Sequence, residues 1–430
     1  VPQKEQLRNY LQREKKEKKQ KTLNSNNGTV LKGKSILLGI TGSVAAYKSV
    51  DLIRRLKDKG ASVRVIMTES ACRFITPLSV ELASGERACL DMFESPLSHI
   101  SLPAEADVLV VAPATANSIS KYACGIADNL LSAAMLAFSG PPDRIIFAPA
   151  MNWRMYENHV FQKNLRDLIQ TGARFIGPEK GSLACGEEGA GRMAGIDRII
   201  ESIKTSLSKQ DLAGEHVLVT AGPTREHIDP VRYISNRSSG KMGYAIAKIA
   251  RRRGAKVTLI SGPVSLRPPD DVAVINVGTA AEMFSAVMDN IHMFSIFVMS
   301  AAVADFMPQE TKRDKIEKKE SLALQLIKTK DILGEVGRLK KRPFTAGFAA
   351  ETGLRLDRAK KKLIGKNIDI IVFNNVAGVG AGFDVNTNEV VIIYRDSAGT
   401  IKEKPLPLMH KEDVAEAIFD TIKDLGYKQF

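Results

Sequence analysis

One pattern constrains this chain more than any other. A short apolar run, a small-residue turn and then apolar residues at helical spacing recur in both halves of the sequence. Residues 35–41 carry no charge, which suits a strand buried on both faces. Gly42-Ser43 follows, and Val44, Tyr47, Val50, Ile53 and Leu56 then recur at helical spacing. Gly60 stops that helix and residues 61–68 supply a second strand, so the opening is a βαβ unit, which requires a parallel sheet. Two further strands, 107–112 and 144–148, each run into Pro-Ala, and an alanine-rich helix is expected from Ile119 to Phe138. The pattern lapses around 206–214 and restarts at 215–224, with more strands at 256–260, 296–300 and 369–373. The expected fold class is α/β, two Rossmann-like domains with parallel sheets. The expected boundaries are a basic flexible extension at 1–33, a first domain at 34–207 and a second at 208–430.

The charge of the chain is +14, from 62 Lys and Arg against 48 Asp and Glu. Residues 1–21 alone hold eight Lys or Arg against three Glu, so a good part of the excess sits in a segment without apolar periodicity. The remainder suits anionic small ligands, and no nucleic-acid reader motif is present, so nucleic acid is not an expected partner. No uncharged run is long enough to span a bilayer, and the lysine-rich start lacks the apolar core of a secretion signal. Four cysteines, Cys72, Cys89, Cys124 and Cys185, without a C-x-x-C pair, fit neither a disulfide framework nor a thiolate zinc site. A cytoplasmic setting is expected.

Ligands of open α/β sheets bind beyond the carboxyl ends of the strands, so Thr68, Thr115, Asn117 and Asn152 should converge on one rim. Uncharged donors and acceptors of this kind suit a planar heterocycle such as isoalloxazine. The turn at Gly42-Ser43 lacks the G-x-G-x-x-G fingerprint but opens a helix, where free N–H groups favour a phosphate monoester. Turn-shaping is the plainer role for the same Gly, Pro and Asn residues. Five motifs stand in order: Gly42-Ser43; Thr68-Glu69-Ser70; His99 fourteen residues before Pro113-Ala114-Thr115-Ala116-Asn117; Pro149-Ala150-Met151-Asn152-x-x-Met155; and Ala184-Cys185-Gly186-x-x-Gly189-x-Gly191-Arg192-Met193.

Together they resemble the homo-oligomeric flavin-containing cysteine decarboxylases, and within them the phosphopantothenoylcysteine decarboxylase half of the bifunctional coenzyme A biosynthesis flavoproteins. The resemblance implies a flavodoxin-like first domain that holds FMN through Gly42, Ser43, Thr68, Pro113, Thr115 and Asn117. It further implies His99 as the imidazole serving the substrate thiol, Asn152 as the holder of the substrate carboxylate and Cys185 as proton donor in the reductive half-reaction. Met151, Met155, Arg192 and Met193 would contact the substrate, 4'-phosphopantothenoylcysteine. A cysteine amide carboxylate has no electron sink, so oxidation at the thiol-bearing carbon must precede loss of CO2 and be reversed afterwards.

In the second half, the strand at 215–224 ends in a long polar excursion, 225–243, of the length that usually serves function. Gly240-Lys241 lacks the G-x-x-x-x-G-K-[ST] spacing of a Walker loop. Asp305 follows a strand end, and a basic run at 312–319 comes after it, an arrangement able to bring Mg2+ (or Mn2+) and lysine to one triphosphate. With Ala346-Gly347-Phe348 and Lys362-x-x-x-Lys366-Asn367, these segments resemble the phosphopantothenate–cysteine ligase half of the same family. By that resemblance Met299, Ser300, Ala301, Asp305, Lys315, Lys330, Asp331, Phe348, Lys362 and Lys366 hold the nucleotide and Asp305 the metal. Lys315 would serve formation of an acyl nucleotide, while Asn236 and Arg232 orient it for attack by cysteine. Where the family commonly has Asn-Pro-Asp, this chain has Thr329-Lys330-Asp331.

The resemblance implies CTP as co-substrate, with 4'-phosphopantothenate and cysteine as the other substrates, although spacing alone does not choose between CTP and ATP. It also implies a homo-oligomer, trimers of the first domain joined through dimers of the second into a dodecamer. Two other readings stand beside this one, an NAD(P)-dependent oxidoreductase and a non-catalytic flavin-binding regulatory protein. The missing dinucleotide fingerprint argues against the first, and the joint presence of His99, Asn152 and Cys185 against the second.

Overall fold

A computed structural model describes residues 30–94, 96–182, 186–317, 321–351, 356–375, 382 and 384–426. Most of the basic extension therefore lies outside the described residues. The chain divides between Ser208 and Lys209 into two compact units. Among the described residues no helix is long and apolar enough to cross a membrane.

The first unit is built on strands β1 (Ser35–Ile40), β2 (Ser62–Met67), β3 (Val108–Ala114), β4 (Ile145–Pro149) and β5 (Arg174–Phe175), all parallel and ordered β2-β1-β3-β4-β5. This is the flavodoxin-like order. Side chains alternate across the pleat, so Ile36, Leu38 and Ile40 of β1 enter one core while Leu37 enters the other. The first core is closed by the helices Tyr47–Asp58, Pro77–Ser84 and Ile196–Leu207, and the second by Ser98–Ala104, Ala116–Ala123, Leu130–Ala137 and His159–Gln170. An antiparallel hairpin, β6 (Glu179–Ser182) with β7 (Glu188–Arg192), lies beside this sheet in sequence but outside its pairing.

Two local expectations are corrected here. The single helix expected from Ile119 to Phe138 is two helices, Ala116–Ala123 and Leu130–Ala137. Gly125 takes φ +70°, and Asn129 opens the second helix with a capping box in which its side chain and that of Ser132 satisfy each other's backbone N–H. In the first helix, Val44 and Tyr47 do not share the buried stripe of Leu52, Ile53 and Leu56 but stand exposed at its start.

The second unit has an eight-stranded sheet ordered β12-β11-β8-β13-β16-β17-β18-β19. Its strands are β8 (His216–Ala221), β11 (Lys256–Ser261), β12 (Ala273–Asn276), β13 (Ile296–Met299), β16 (Phe344–Glu351), β17 (Ile370–Asn375), β18 (Thr387–Arg395) and β19 (Ile401–His410). The first six neighbours are parallel and the last two strands add antiparallel. Pro405 and Pro407 disguise β19 in the sequence, yet it is an edge strand, where a missing N–H is tolerated. The polar excursion at 225–243 is not simply a loop, since β9 (Arg225–His227) pairs antiparallel with β10 (Tyr233–Ser235). A smaller pair joins β14 (Phe306–Pro308) to β15 (Leu326–Lys328).

Helices Lys241–Arg252 and Lys411–Asp424 cover one face of this sheet, and Ala280–Asn290, Ile332–Arg338 and Leu356–Gly365 the other. Just past the first of these, Arg253 is 2% exposed and forks onto Asp211 (Nε to Oδ1 2.9 Å, Nη2 to Oδ2 2.6 Å), Asp420 (2.9 Å) and Glu416 (3.3 Å). One guanidinium thus ties the opening segment of the unit to its last helix. Replacing a single partner of such a buried cluster leaves uncompensated charge. Arg253→Leu is expected to destabilise the second unit by about 3–5 kcal/mol, whereas Asp420→Asn, at a half-exposed partner, costs about 1 kcal/mol or less. Urea unfolding followed by circular dichroism checks this, and equal midpoint shifts for the two variants would refute it.

Candidate functional sites

In the first unit the strand ends create two adjoining cavities. The larger, about 660 Å3, is lined by Gly42, Ser43, Thr68, Ser70, Thr115 and Asn117, with Phe74, Met151 and Met155 as its apolar members. Local folding explains the polar set. Thr68 and Thr115 are helix N-caps, accepting from Ala71 N and Ser118 N, and Ser43 caps the turn Val44–Ala46. Three helical starts therefore face one space with uncharged oxygens and backbone N–H groups. The buried Thr41 hydroxyl fixes their spacing by donating to Pro113 O (2.7 Å) and accepting from Thr115 N (3.0 Å). Gly42 allows close approach, since a Cβ there would fall 2.4 Å from Ser70 Cβ. The interrupted helix described above brings Lys121, Asp128 and Asn129 to the same rim, with Lys121 Nζ 2.5 Å from Asp128.

The second cavity, about 550 Å3, shares Ser43, Val44, Ala150 and Met151 with the first and adds Tyr47, Lys48, Asn152, Ser182, Arg192 and Met193. Asn152 caps the helix Trp153–Glu157 through Oδ1 to Arg154 N (2.9 Å), which sets the plane of its carboxamide. The hairpin closes over this region: Trp153 packs on Gly189 and donates to Glu187 (2.8 Å), which Arg154 also contacts (2.8 Å).

Of the residues expected in this unit, Gly42, Ser43, Thr68, Thr115, Asn117, Met151 and Met155 line the first cavity, and Asn152, Arg192 and Met193 the second. Pro113 offers its carbonyl to Thr41 and lines neither. His99, expected between elements, is instead in the first turn of the helix Ser98–Ala104 and lines neither cavity; its Nδ1 is buried without a hydrogen-bond partner among the described residues. Cys185 lies outside the described residues. Lys48 and Tyr47 were missed by sequence reading, because helical spacing assigned this turn to the core.

The second unit holds a larger cavity, about 790 Å3, lined by residues from β13, β16, β17 and β18 and from the segments that follow β10 and β13. Asn236, Met299, Ser300, Ala301, Asp305, Lys330, Asp331, Phe348 and Lys366 all line it. The loop after β13 is held to β8 by threonine hydroxyls, Ala301 N donating to Thr220 (3.3 Å) and Ala304 N to Thr224 (3.0 Å). Asn236 Nδ2 donates to Val303 O (2.8 Å), fixing the long excursion to that loop. Asp331 caps the helix Ile332–Arg338 and accepts from Lys366 (2.8 Å). Burial works to raise the Asp331 carboxyl, but the Lys366 ammonium and the Gly334 N–H hold it below the usual carboxylate range. The Thr329-Lys330-Asp331 departure thus keeps its acid in a structural role.

Lys315, Arg232 and Lys362 do not line this cavity. Buried Asp229 accounts for the first two. It binds Arg232 (3.1 Å) and accepts from Ile316 N (3.2 Å), pinning the basic run against the β9–β10 hairpin. The cavity instead recruits Lys241, Lys328 and Lys411, and buried Asn374 and Asn388, whose Oδ1 atoms have no partner among the described residues. Only Lys411 carries a strong electrostatic signature: burial and the nearby Lys241 charge push it down to about 8, with Asp384 opposing. Its Nζ donates to Gly382 O (3.0 Å) and Val385 O (2.6 Å). Among the described residues no group of three or more His, Cys, Asp or Glu could hold a metal unaided. Asp305 fits a Mg2+ that keeps water and triphosphate oxygens as its other ligands.

Comparison with known proteins agrees with this division. The flavoprotein family matches residues 24–208, and the DNA/pantothenate metabolism flavoprotein C-terminal domain matches residues 212–425. The coenzyme A biosynthesis bifunctional protein CoaBC of Vibrio cholerae is 43% identical over 402 residues, 92% of this chain and 99% of that protein. The protein of the same name from Bacillus subtilis is 43% identical over 406 residues, 92% and 98% of the two chains. A solved C-terminal domain of a CoaBC protein is 40% identical, covering 50% of this chain and 98% of its own, with a TM-score of 0.42.

An anion bound beside Lys411 offsets the burial that depresses it and returns it toward the ordinary ammonium value. Near pH 8, where the free protein carries this lysine partly neutral, nucleoside triphosphate binding is therefore expected to take up roughly half a proton. Calorimetry in two buffers of different ionisation enthalpy measures it. The uptake should vanish in Lys411→Met, and uptake that survives the substitution would refute the assignment.

Proposed function

The chain belongs to the CoaBC family of bifunctional coenzyme A biosynthesis proteins, and on that premise we propose how its residues divide the two activities, phosphopantothenoylcysteine decarboxylase and phosphopantothenate–cysteine ligase. The observation that carries the division is the contrast between the cavities. The lining of one is rich in hydroxyls, with two carboxamides, Asn117 and Asn129, and two methionines, while the other gathers Lys241, Lys328, Lys330, Lys366 and Lys411.

The first unit is the decarboxylase. Its larger cavity suits FMN, with Thr68, Thr115 and Asn117 toward the ring edges and the turn at Gly42-Ser43 toward the phosphate. FMN, when bound, supplies two-electron oxidation and its reversal at the thiol-bearing carbon of the substrate. Asn152 holds the substrate carboxylate with an uncharged amide, which orients it without the stabilisation an ion pair would give the reactant. His99 takes the thiol proton, and Cys185 returns a proton to carbon later. Because His99 lines neither of the two cavities described in its own unit, it serves the cavity of a neighbouring copy. The exposed Phe93 (87%), Leu97 and Ile100 around it, and Phe74, Leu78 and Leu82 nearby in sequence, supply an apolar surface of the kind that assembly buries. We read the assembly as trimers of this unit, joined into a dodecamer through dimers of the other.

The second unit is the ligase. The carboxylate of 4'-phosphopantothenate is a poor electrophile until it is joined to a nucleoside monophosphate, with CTP the favoured donor. The cationic cavity would neutralise the triphosphate, Asp305 would hold Mg2+ there, and Met299, Ser300, Ala301, Phe348, Lys330 and Lys366 of the lining would position the nucleotide, with Lys362 acting from outside that lining. Lys315 meets the charge that moves onto pyrophosphate, from the exposed segment that Asp229 anchors. Asn236 and Arg232 orient the acyl cytidylate for attack by the amine of cysteine.

The purified protein is expected to be yellow with FMN. His99→Asn should release no CO2, whereas Cys185→Ser should release CO2 yet accumulate the enethiol, read by labelled CO2 and mass spectrometry. Normal 4'-phosphopantetheine from Cys185→Ser would exclude it as donor.

For the ligase, Lys315→Gln should lower acyl-nucleotide formation by about 10²–10³. Asn236→Asp should form the acyl nucleotide and let it accumulate. Quenched-flow mass spectrometry with labelled CTP, and with ATP in parallel, distinguishes the steps, and the opposite pattern would reverse the two assignments.

A further inference from the structure

The second cavity of the first unit contains two cations, Lys48, to which nothing above gives a role, and Arg192, expected above only as a substrate contact of unstated kind. Lys48 is half-buried in the first turn of the helix Tyr47–Asp58, and Arg192 ends β7; both line the cavity that also contains Asn152. Neither has an ion-pair or hydrogen-bond partner among the described residues, in a unit where most of the neighbouring charges are matched. Glu179, the acid whose carboxyl feels the Lys48 charge, already accepts from Gly195 N (3.1 Å) and Arg198 (3.3 Å). Glu187 is taken by Trp153 and Arg154. Arg192 is also held in place: its side chain lies across Gly181, where a Cβ would fall 2.8 Å from Nη1 and 3.0 Å from Cδ. Two cations, one of them held in place, in the lining of one cavity that contains no protein acid are suited to a dianionic ligand group.

The geometry of the substrate then selects that group. Its reacting end must sit by Asn152, where this cavity meets the neutral one. Its phosphate is at the opposite end of a long flexible chain and keeps part of its hydration, as half-buried Lys48 and exposed Arg192 allow. Resting on the decarboxylase reading of this unit, we infer that Lys48 and Arg192 form the anchor for the terminal phosphate of the substrate and set the preference of the decarboxylase for phosphorylated over phosphate-free pantothenoylcysteine. Lys48 supplies a compact charge and Arg192 a planar fork, so their contributions are separable.

The test compares kcat/KM for 4'-phosphopantothenoylcysteine and for pantothenoylcysteine in the full FMN-loaded chain. Loss of one charge-assisted contact is expected to lower the ratio of the two about 10- to 100-fold in Lys48→Gln or in Arg192→Gln, mostly through KM for the phosphorylated substrate, and Lys48→Arg should restore much of it. Flavin absorbance at purification reports that each variant is folded and loaded. An unchanged ratio in both Gln variants overturns the anchor while leaving the decarboxylase assignment standing. Loss of flavin from Lys48→Gln assigns the lysine to the cofactor phosphate and also overturns it. A wild-type chain that decarboxylates neither substrate overturns the decarboxylase reading and the anchor together.

Discussion

In both units a buried threonine hydroxyl at the end of the first strand ties that strand to the loop leaving its neighbour. Thr41 bridges Pro113 and Thr115 across β1 and β3, and Thr220 receives Ala301 N across β8 and β13. These are the positions where strand order reverses and helices depart to opposite faces, leaving a crevice with no strand above it. A parallel sheet buries both faces, so backbone groups just beyond its ends must find partners or face a ligand. Thr41 satisfies a carbonyl and an N–H on one side of its crevice, and Thr220 an N–H on one side of the other. Every other feature of the two sites is arranged around that split.

What differs is the chemistry placed on the rims. The first unit offers caps and carboxamides, groups whose hydrogen bonds orient a ligand without fixing its charge. The second concentrates lysines until one of them, Lys411, is held largely by burial away from its ordinary ionisation. A redox-assisted decarboxylation needs a reactant carboxylate that is held but not over-stabilised, while carboxylate activation needs triphosphate charge neutralised. The same sheet architecture serves both because the distinction is made by the side chains at the strand ends.

Much of this was legible in sequence where backbone chemistry leaves a signature. Apolar runs ending in Gly42-Ser43 or Pro-Ala marked strands and crevice turns, and Gly42, Ser43 and Ala150 of those turns line the cavities, though Pro113 does not. Legibility failed where long-range contacts decide. Nothing local distinguishes Lys48 from a solvated helix residue until β7 brings Arg192 beside the same cavity. Lys411 opens its helix with no recognisable motif, and its role depends on carbonyls of residues 382 and 385. The break near Gly125 was hidden by an alanine-rich composition that favours helix throughout, and β19 by two prolines that only an edge strand accepts. The basic run at 312–319 read as a partner of Asp305 because the two are adjacent in sequence, yet Asp229 ties residues 312–316 of it to the β9–β10 hairpin.

Trp153 is the only tryptophan in the chain, and it rests on Gly189 of the β6–β7 hairpin with its indole N–H on Glu187. The ring is therefore a built-in optical probe at the contact between the helix that Asn152 caps and the hairpin that bears Arg192. Any departure of the hairpin from that helix would expose the indole to water and remove its hydrogen bond, shifting emission to the red. Whether ligand binding disturbs this contact can be read by tryptophan fluorescence in the unlabelled protein, with no second tryptophan in the chain to obscure it.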